Sequence, residues 1–320
     1  MDAVHIIGAG GIGCAVGYAL AANGTRVTFV DVNPKKLVAG NRDGVKLNDG
    51  PPMKAEFIHF DEWQPPQDTT IILSTKCYDN AAVLHKLARR ASEGLLPIQN
   101  GFDPALDALD HTTEGIASFV AKCESDAPNA RITRPGELHI GPRRSGPAVA
   151  TAGLASSFFT VRPVRNILPI KYAKLMYNAA ISPLAAAAGI DNGQLLSIPA
   201  ARRLFFELLQ ENYRILSAAG IALGKVGPFH PRTVAWILRR KWLAKLMARG
   251  FEPSLRGTYC SMAGEIQKGR TEIDNYNGHL IRLAEKHGTP HPLNRAVFDL
   301  VTRMTAERAT PSLDAIRHLA

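Results

Sequence analysis

The sequence predicts a two-domain α/β protein: an N-terminal doubly wound parallel sheet over residues 1–166, then a C-terminal all-helical domain over 167–320. Three observations carry this. A length of 320 residues suggests about two domains. The first half alternates short apolar runs with helical stretches, the pattern of strands joined by crossover helices. From Ile170 onward the pattern is helical almost to the end.

The first element is the most informative. Val4-His5-Ile6-Ile7 reads as a strand and runs directly into Gly8-Ala9-Gly10-Gly11-Ile12-Gly13, with an Ala-rich helical stretch behind it. Between a strand and a helix, Gly-x-Gly-x-x-Gly is a dinucleotide-binding (Rossmann) signature. Gly8 makes the tight turn, Gly10 lets the backbone approach a pyrophosphate, and Gly13 lets the helix pack on the strand. The helix N-terminus offers unpaired N–H groups to the phosphates. Thr25–Val30 reads as a second strand ending at Asp31, where a carboxylate holds the ribose hydroxyls of NAD and repels a 2′-phosphate. The competing reading of Asp31 is a turn aspartate. Lys35 and Lys36 stand close enough to serve a 2′-phosphate instead.

Further strands are expected at Phe57–Phe60, Thr69–Ser74, Leu95–Gln99 and Gly115–Val120, with a helical stretch from Ala81 to Ala91. Lys76 and Asn100 then fall at strand ends, beside Gly10 and Asp31, on the edge where such sheets bind ligands. Strand-like pieces at Leu138–Gly141 and Phe158–Val161 are expected to extend the sheet, and Pro163–Pro169 to form a linker.

Composition narrows the partners. At 46% hydrophobic and 21% charged residues, the chain is that of a globular protein with a sizeable core. No apolar run reaches the ~18–20 residues of a membrane span, so no membrane partner is expected. The N-terminus already reads as a core strand, so no signal peptide is expected. Cys14, Cys77, Cys123 and Cys260 show no Cys-x-x-Cys spacing, which favours a reducing cytoplasm and predicts neither a metal site nor a disulfide framework. The net charge of +10 is spread along the chain, with one cluster at Arg239, Arg240, Lys241, Lys245 and Arg249. Interleaved with Trp236, Ile237, Leu238, Trp242, Leu243 and Leu246, it reads as an amphipathic helix with a solvated or subunit-facing basic side, not as a nucleic-acid surface.

The second informative stretch runs from Ile170 to Leu184. Lys174, Asn178 and Ser182 are spaced by four and share one helix face. Such a stripe is either a solvent face or a pocket lining. The Ala-rich flanks favour a pocket, and Pro183 is expected to kink the helix.

Together these pieces resemble the ketopantoate reductase (2-dehydropantoate 2-reductase) family. The matching motifs are Gly8–Gly13, Thr75-Lys76, Gln99-Asn100-Gly101, Lys174-Leu175 through Asn178, Asp191-Asn192-Gly193, Ser261-Met262, and Thr271-Glu272-Ile273-Asp274 followed by Asn277-Gly278. The resemblance implies hydride transfer from a nicotinamide cofactor to the ketone of a 2-oxo acid, with 2-dehydropantoate reduced to pantoate. It implies that Lys174 is the general acid, and that Glu272 accepts a bond from the substrate hydroxyl. Asn178, Ser182, Asn192 and Ser261 are implied as substrate-binding groups. Gly8, Ala9, Gly10, Gly11, Ile12, Gly13, Asp31, Lys76 and Asn100 would bind the cofactor, and a homodimer through the helical domain is expected. Taken alone, Glu272 reads as a helix-start carboxylate and Ser261 as a helix N-cap.

Three departures stand out. Ser182 replaces a second family asparagine. The stretch from Ser261 to Glu272 is one residue short, so Cys260 competes for the serine position. The family prefers NADPH, whereas Asp31 favours NAD(H). The alternatives are a relative acting on another 2-oxo or 2-hydroxy acid or a secondary alcohol, and a dinucleotide-binding regulatory protein. Lys174 together with Glu272 favours an enzyme.

Overall fold

The computed structural model describes residues 3–87, 94–109, 111–146 and 152–319. The chain forms two compact units, Met1–Leu168 and Pro169–Ala320.

The first unit contains β1 (Ala3–Ile7), α1 (Gly11–Ala22), β2 (Arg26–Asp31), α2 (Pro34–Asp43), β3 (Lys46–Leu47), β4 (Glu56–His59) and β5 (Thr70–Leu73). It continues with α3 (Asn80–Leu87), β6 (Leu95–Pro97), α4 (Pro104–Asp107), β7 (Thr113–Ala117), β8 (Val120–Cys123), β9 (Asn129–Arg134), β10 (Glu137–Pro142) and β11 (Thr160–Pro163). Five strands form one sheet in the order β4-β2-β1-β5-β6, with every neighbouring pair parallel. Alternate side chains face opposite sides of a strand. Ile6 and Phe29 therefore pack with Val16 and Leu20 of α1, while their neighbours Ile7 and Val30 pack with Trp63 and with Val83 and Leu87 of α3. Both faces are covered, as a parallel sheet requires. This is the doubly wound class read from the sequence.

The expected strand at Gly115–Val120 is divided and lies outside that sheet. β7 ends at Ala117 and pairs antiparallel with β10, which pairs with β11. β8 starts at Val120 and pairs with β9, and β9 with β3. Between β7 and β8, the Ser118 N–H donates to the Glu137 carbonyl at 2.7 Å and the Ser118 Oγ accepts the Glu137 N–H at 2.8 Å. The chains come so close that a Cβ on Gly136 would stand 2.5 Å from the Phe119 nitrogen. The pieces at 138–141 and 158–161 thus build a separate three-stranded sheet rather than extend the parallel one. Phe158 and Phe159 precede β11; Phe159 stacks on Phe119 at 4.8 Å. Helix α3 covers the start of the predicted 81–91 stretch, and residues 88–91 lie outside the described residues.

The second unit is helical: α5 (Leu168–Ala188), α6 (Asn192–Ser197), α7 (Pro199–Ala218), α8 (Pro231–Leu238), α9 (Lys241–Leu255), α10 (His279–Lys286), α11 (Pro292–Ala306) and α12 (Leu313–Arg317). One π-helical turn, Asp274–Gly278, leads into α10. α5 is assigned as one helix through Pro183 and buries most of its Ala-rich C-terminal half. α7 buries Leu204, Leu208, Leu209, Ile215 and Leu216 along one face. The basic cluster does not lie on one helix, because α8 ends at Leu238 and α9 begins at Lys241. Nor are its large apolar residues all buried: Trp236, Trp242 and Leu246 are exposed. Among the described residues no helix is long and apolar enough to cross a membrane.

Candidate active site

The glycine loop occupies the carboxyl end of β1. Gly8 has φ +98°, a region glycine enters without a Cβ penalty, and its N–H donates to the Val30 carbonyl at 2.8 Å. A Cβ on Gly13 would stand 2.0 Å from the Gly8 carbonyl oxygen, so only glycine lets α1 seat here. Gly10 is the opposite case: nothing lies within 4 Å of the position a Cβ would take. Gly10 also precedes α1 with no side chain capping the helix. Open space beside an uncapped helix N-terminus fits a pyrophosphate, whose oxygens would accept the first-turn N–H groups.

Asp31 ends β2 and reaches back to the loop. Its Oδ2 accepts the Ala9 N–H at 2.7 Å and its Oδ1 accepts the Asn33 N–H at 3.0 Å. Lys36 is buried, and its Nζ donates to the Ala9 carbonyl at 3.0 Å. Lys35 pairs with Asp126 at the surface. The loop is therefore gripped at both polar atoms of Ala9. Lys76 follows β5 and is half-buried, and Asn100 follows β6. Their loops are tied together. Asn80 Nδ2 donates to Gln99 Oε1 at 3.1 Å and to Asp103 Oδ2 at 2.6 Å, while Gln99 Nε2 donates to the Thr75 carbonyl at 2.8 Å. Gly10, Asp31, Lys76 and Asn100 thus follow or end four adjacent parallel strands, β2-β1-β5-β6, on one edge.

The helical unit assembles a second group. Lys174 lies in α5, and burial lowers its pKa to about 8 against the opposing pull of the Glu272 carboxylate. Glu272 is buried one residue before the helical run that contains the π turn. A line of hydroxyls reaches it from α5. Ser182 Oγ and Ser261 Oγ lie 3.4 Å apart, Ser261 Oγ and the Tyr276 hydroxyl 3.2 Å apart, and Tyr276 donates to Glu272 Oε2 at 3.4 Å. Cys260 turns elsewhere, donating to the Ser182 carbonyl at 3.3 Å. Ser261 sits in an irregular turn, not at a helix N-cap. Asn178 is half-buried on α5, one turn from Lys174 and one from Ser182. Asn192 lies outside this line of contacts: its N–H donates to the Thr258 carbonyl at 2.9 Å, and its Oδ1 is buried without a hydrogen bond to the described residues.

Tyr276 was not among the sequence candidates. The available signal was its spacing of four from Glu272 on a helical segment, although such a tyrosine reads equally well as core. A buried polar network also lay beyond sequence reading. Pro183 has no N–H, so the Ala179 carbonyl lacks its helix donor. Asn277 Nδ2 supplies one at 2.9 Å and also donates to Asn294 Oδ1 at 3.0 Å. Asn294 Nδ2 donates to Glu211 Oε1 and Asn212 Oδ1, and Asn212 Nδ2 donates to the Met176 carbonyl at 2.9 Å. Among the described residues no group of three or more His, Cys, Asp or Glu could hold a metal ion.

The ketopantoate reductase PanE/ApbA model matches residues 4–145, and the ketopantoate reductase PanE/ApbA C-terminal model matches residues 166–305. The chain belongs to this family. The 2-dehydropantoate 2-reductase of Halobacterium salinarum is 25% identical over 93% of this chain and 97% of its own length. A PanE/ApbA-family ketopantoate reductase from Ralstonia eutropha JMP134 superposes with a TM-score of 0.76 at 22% identity, covering 96% of this chain and 99% of that one. D-mandelate dehydrogenase, solved with NADH and anilino(oxo)acetate, gives a TM-score of 0.76 at 19% identity over 96% and 99%. A ketopantoate reductase from Staphylococcus aureus, described as dimeric, gives 0.70 at 18% identity over 96% and 100%. Fold and family together make this protein an NAD(P)-dependent oxidoreductase-like enzyme.

Proposed function

We propose that this PanE/ApbA-family protein reduces the ketone of a 2-oxo acid, 2-dehydropantoate to pantoate being the leading reaction. The observation that carries the reading is the half-buried Lys174 ammonium on α5, its pKa lowered by desolvation and pulled back up by the charge of the buried Glu272 carboxylate. Burying both charges is costly unless they serve each other or a ligand. The bound nicotinamide would supply the hydride. Lys174 Nζ stabilises the developing negative charge on the carbonyl oxygen and donates its proton there. Glu272 accepts a hydrogen bond from a substrate hydroxyl, and the Tyr276 hydroxyl holds that carboxylate in place. Asn178, Ser182, Ser261 and Asn192 bind the polar ends of the substrate. Gly8 through Gly13, Asp31, Lys76 and Asn100 hold the dinucleotide, with Asp31 favouring NAD(H) over NADP(H).

A second reading rests on Ser182. Its short side chain stands where the family carries an asparagine and leaves more room, which suits a bulkier 2-oxo acid. The structural likeness to D-mandelate dehydrogenase supports it. Steady-state reduction of ketopantoate and of an aromatic 2-oxo acid, each with NADH and NADPH, separates the two. Turnover of the aromatic acid alone overturns the ketopantoate assignment, and no turnover of either favours the regulatory-protein alternative.

The protein acts as a homodimer in the cytoplasm, joined through the helical unit. The exposed Trp236, Trp242 and Leu246 of α8 and α9 support this, being large apolar groups that a partner copy would cover. Light scattering on the intact protein should give twice the chain mass, and Trp242→Glu should halve it.

A further inference from the structure

We propose that Cys14 and Cys123 form an oxidisable dithiol beneath the glycine loop, which hydrogen peroxide converts to a disulfide that loosens the nucleotide cradle. The two sulfurs belong to different elements, α1 and β8, and lie 3.9 Å apart. Both lie within hydrogen-bonding reach of the Ala9 carbonyl, Cys14 at 3.3 Å and Cys123 at 3.5 Å, and Cys123 is equally close to the Ala127 carbonyl. That carbonyl belongs to the residue between Gly8 and Gly10, and Lys36 and Asp31 grip the same residue. Cys14 is fully buried, whereas Cys123 is half-buried at the surface. The roles divide accordingly: Cys123 meets the oxidant and Cys14 resolves it. The contact between the two sulfurs, with the Lys36 ammonium, pulls the Cys123 pKa down against burial and the Asp31 carboxylate, while the same contact and then burial push the Cys14 pKa well up, so Cys14 resolves as the thiol.

The chemistry balances as two steps. The Cys123 thiolate attacks one peroxide oxygen; the S–O bond forms, the O–O bond breaks, and the leaving hydroxide takes up a proton as water. Cys14 sulfur then attacks the Cys123 sulfenic acid; the S–S bond forms, the S–O bond breaks, and the hydroxyl leaves with the Cys14 proton as a second water. Two thiols lose two electrons and the peroxide gains them. A disulfide needs its sulfurs at ~2.05 Å, so the pair must close from 3.9 Å. Closure leaves the Ala9 carbonyl without a thiol donor. The loop has little slack to absorb this, because a Cβ on Gly11 would already stand 2.4 Å from the Ala121 carbonyl oxygen.

The loss of affinity rests on the reading that this loop holds a dinucleotide; formation of the bond does not. The intact protein is titrated with hydrogen peroxide, mapped by mass spectrometry, and followed by NADH binding and by hydrogen exchange of the 8–13 amides, before and after dithiothreitol. The expected result is a Cys14–Cys123 link, faster exchange in the loop, and NADH affinity lower by about tenfold, all reversed by reductant. Cys123→Ser and Cys14→Ser should each prevent the link and the affinity loss. Either variant that folds is sufficient. Failure to form this link, or a link that leaves loop exchange unchanged, overturns the proposal. If the reduced protein binds no dinucleotide, the cofactor reading fails, and the link and the exchange data still decide the dithiol.

Discussion

On the proposed function, Lys174 is the residue whose charge sets the direction of the chemistry. With its pKa lowered to about 8, the ammonium that reduction needs disappears as pH rises through that value. The kcat/KM for the 2-oxo acid should therefore fall above pH about 8, while oxidation of the 2-hydroxy acid, which needs the neutral amine, should rise. Stability follows its own sign. Between about 8 and the ordinary 10.5 the folded chain has shed a proton that the unfolded chain still holds, so this group makes folding more favourable as pH rises across that window. Lys174→Ala should lower kcat by roughly 10²–10⁴-fold and remove the limb near pH 8 from the profile. Asp31 carries a second prediction. Its carboxylate both ends β2 and binds the Ala9 N–H. Asp31→Ser should raise the NADPH-to-NADH preference and also weaken NADH by about tenfold through the loosened loop. Fluorescence titration with each cofactor checks both. An unchanged preference would confine Asp31 to holding the loop.

Among the elements, α5 and the π turn depend on each other. Pro183 removes a helix donor beside Ser182, and Asn277 restores it from the turn that also carries Tyr276. Asn277→Ala leaves the Ala179 carbonyl and Asn294 Oδ1 without that donor, which should cost ~1–3 kcal/mol in urea unfolding. Because Tyr276 is adjacent, kcat should fall more than the affinity for dinucleotide, and Asn277→Asp, similar in shape but without the amide donor, should not rescue it. This coupling also marks what the sequence could and could not disclose. The glycine loop, Asp31, Lys76 and Asn100 were readable because each follows or ends a strand whose pattern is local. The stripe Lys174, Asn178, Ser182 was readable from helical spacing. The contacts of Ser261, Tyr276 and Asn277 with α5 and Glu272 were not, because they depend on how distant segments pack. The same holds for β3, two residues that pair with β9 far along the chain. Short strands joined over long separations leave no periodic trace.

At the scale of the molecule, the residues proposed to hold the cofactor lie in the unit Met1–Leu168 and the Lys174–Glu272 group lies in Pro169–Ala320. Binding of dinucleotide should therefore be thermodynamically separable from the acid–base group. A ligand that binds only the folded state adds RT ln(1 + [L]/Kd), ~2.7 kcal/mol at one hundred times Kd. NADH at such excess should raise the melting temperature of the wild-type protein and of Lys174→Ala by the same amount, and raise that of Asp31→Ser less at equal concentration. The net charge of +10 adds a second dependence, since dinucleotide and 2-oxo acid are both anions. Their association should weaken with ionic strength as the field is screened. Comparing the thermal shift at low and high salt, at matched occupancy, removes that contribution and leaves the loop's own. If Lys174→Ala then lost the shift, the lysine would be part of the cofactor site rather than the proton donor. If it kept the shift and lost turnover, binding and chemistry would be divided between the two units as their residues are.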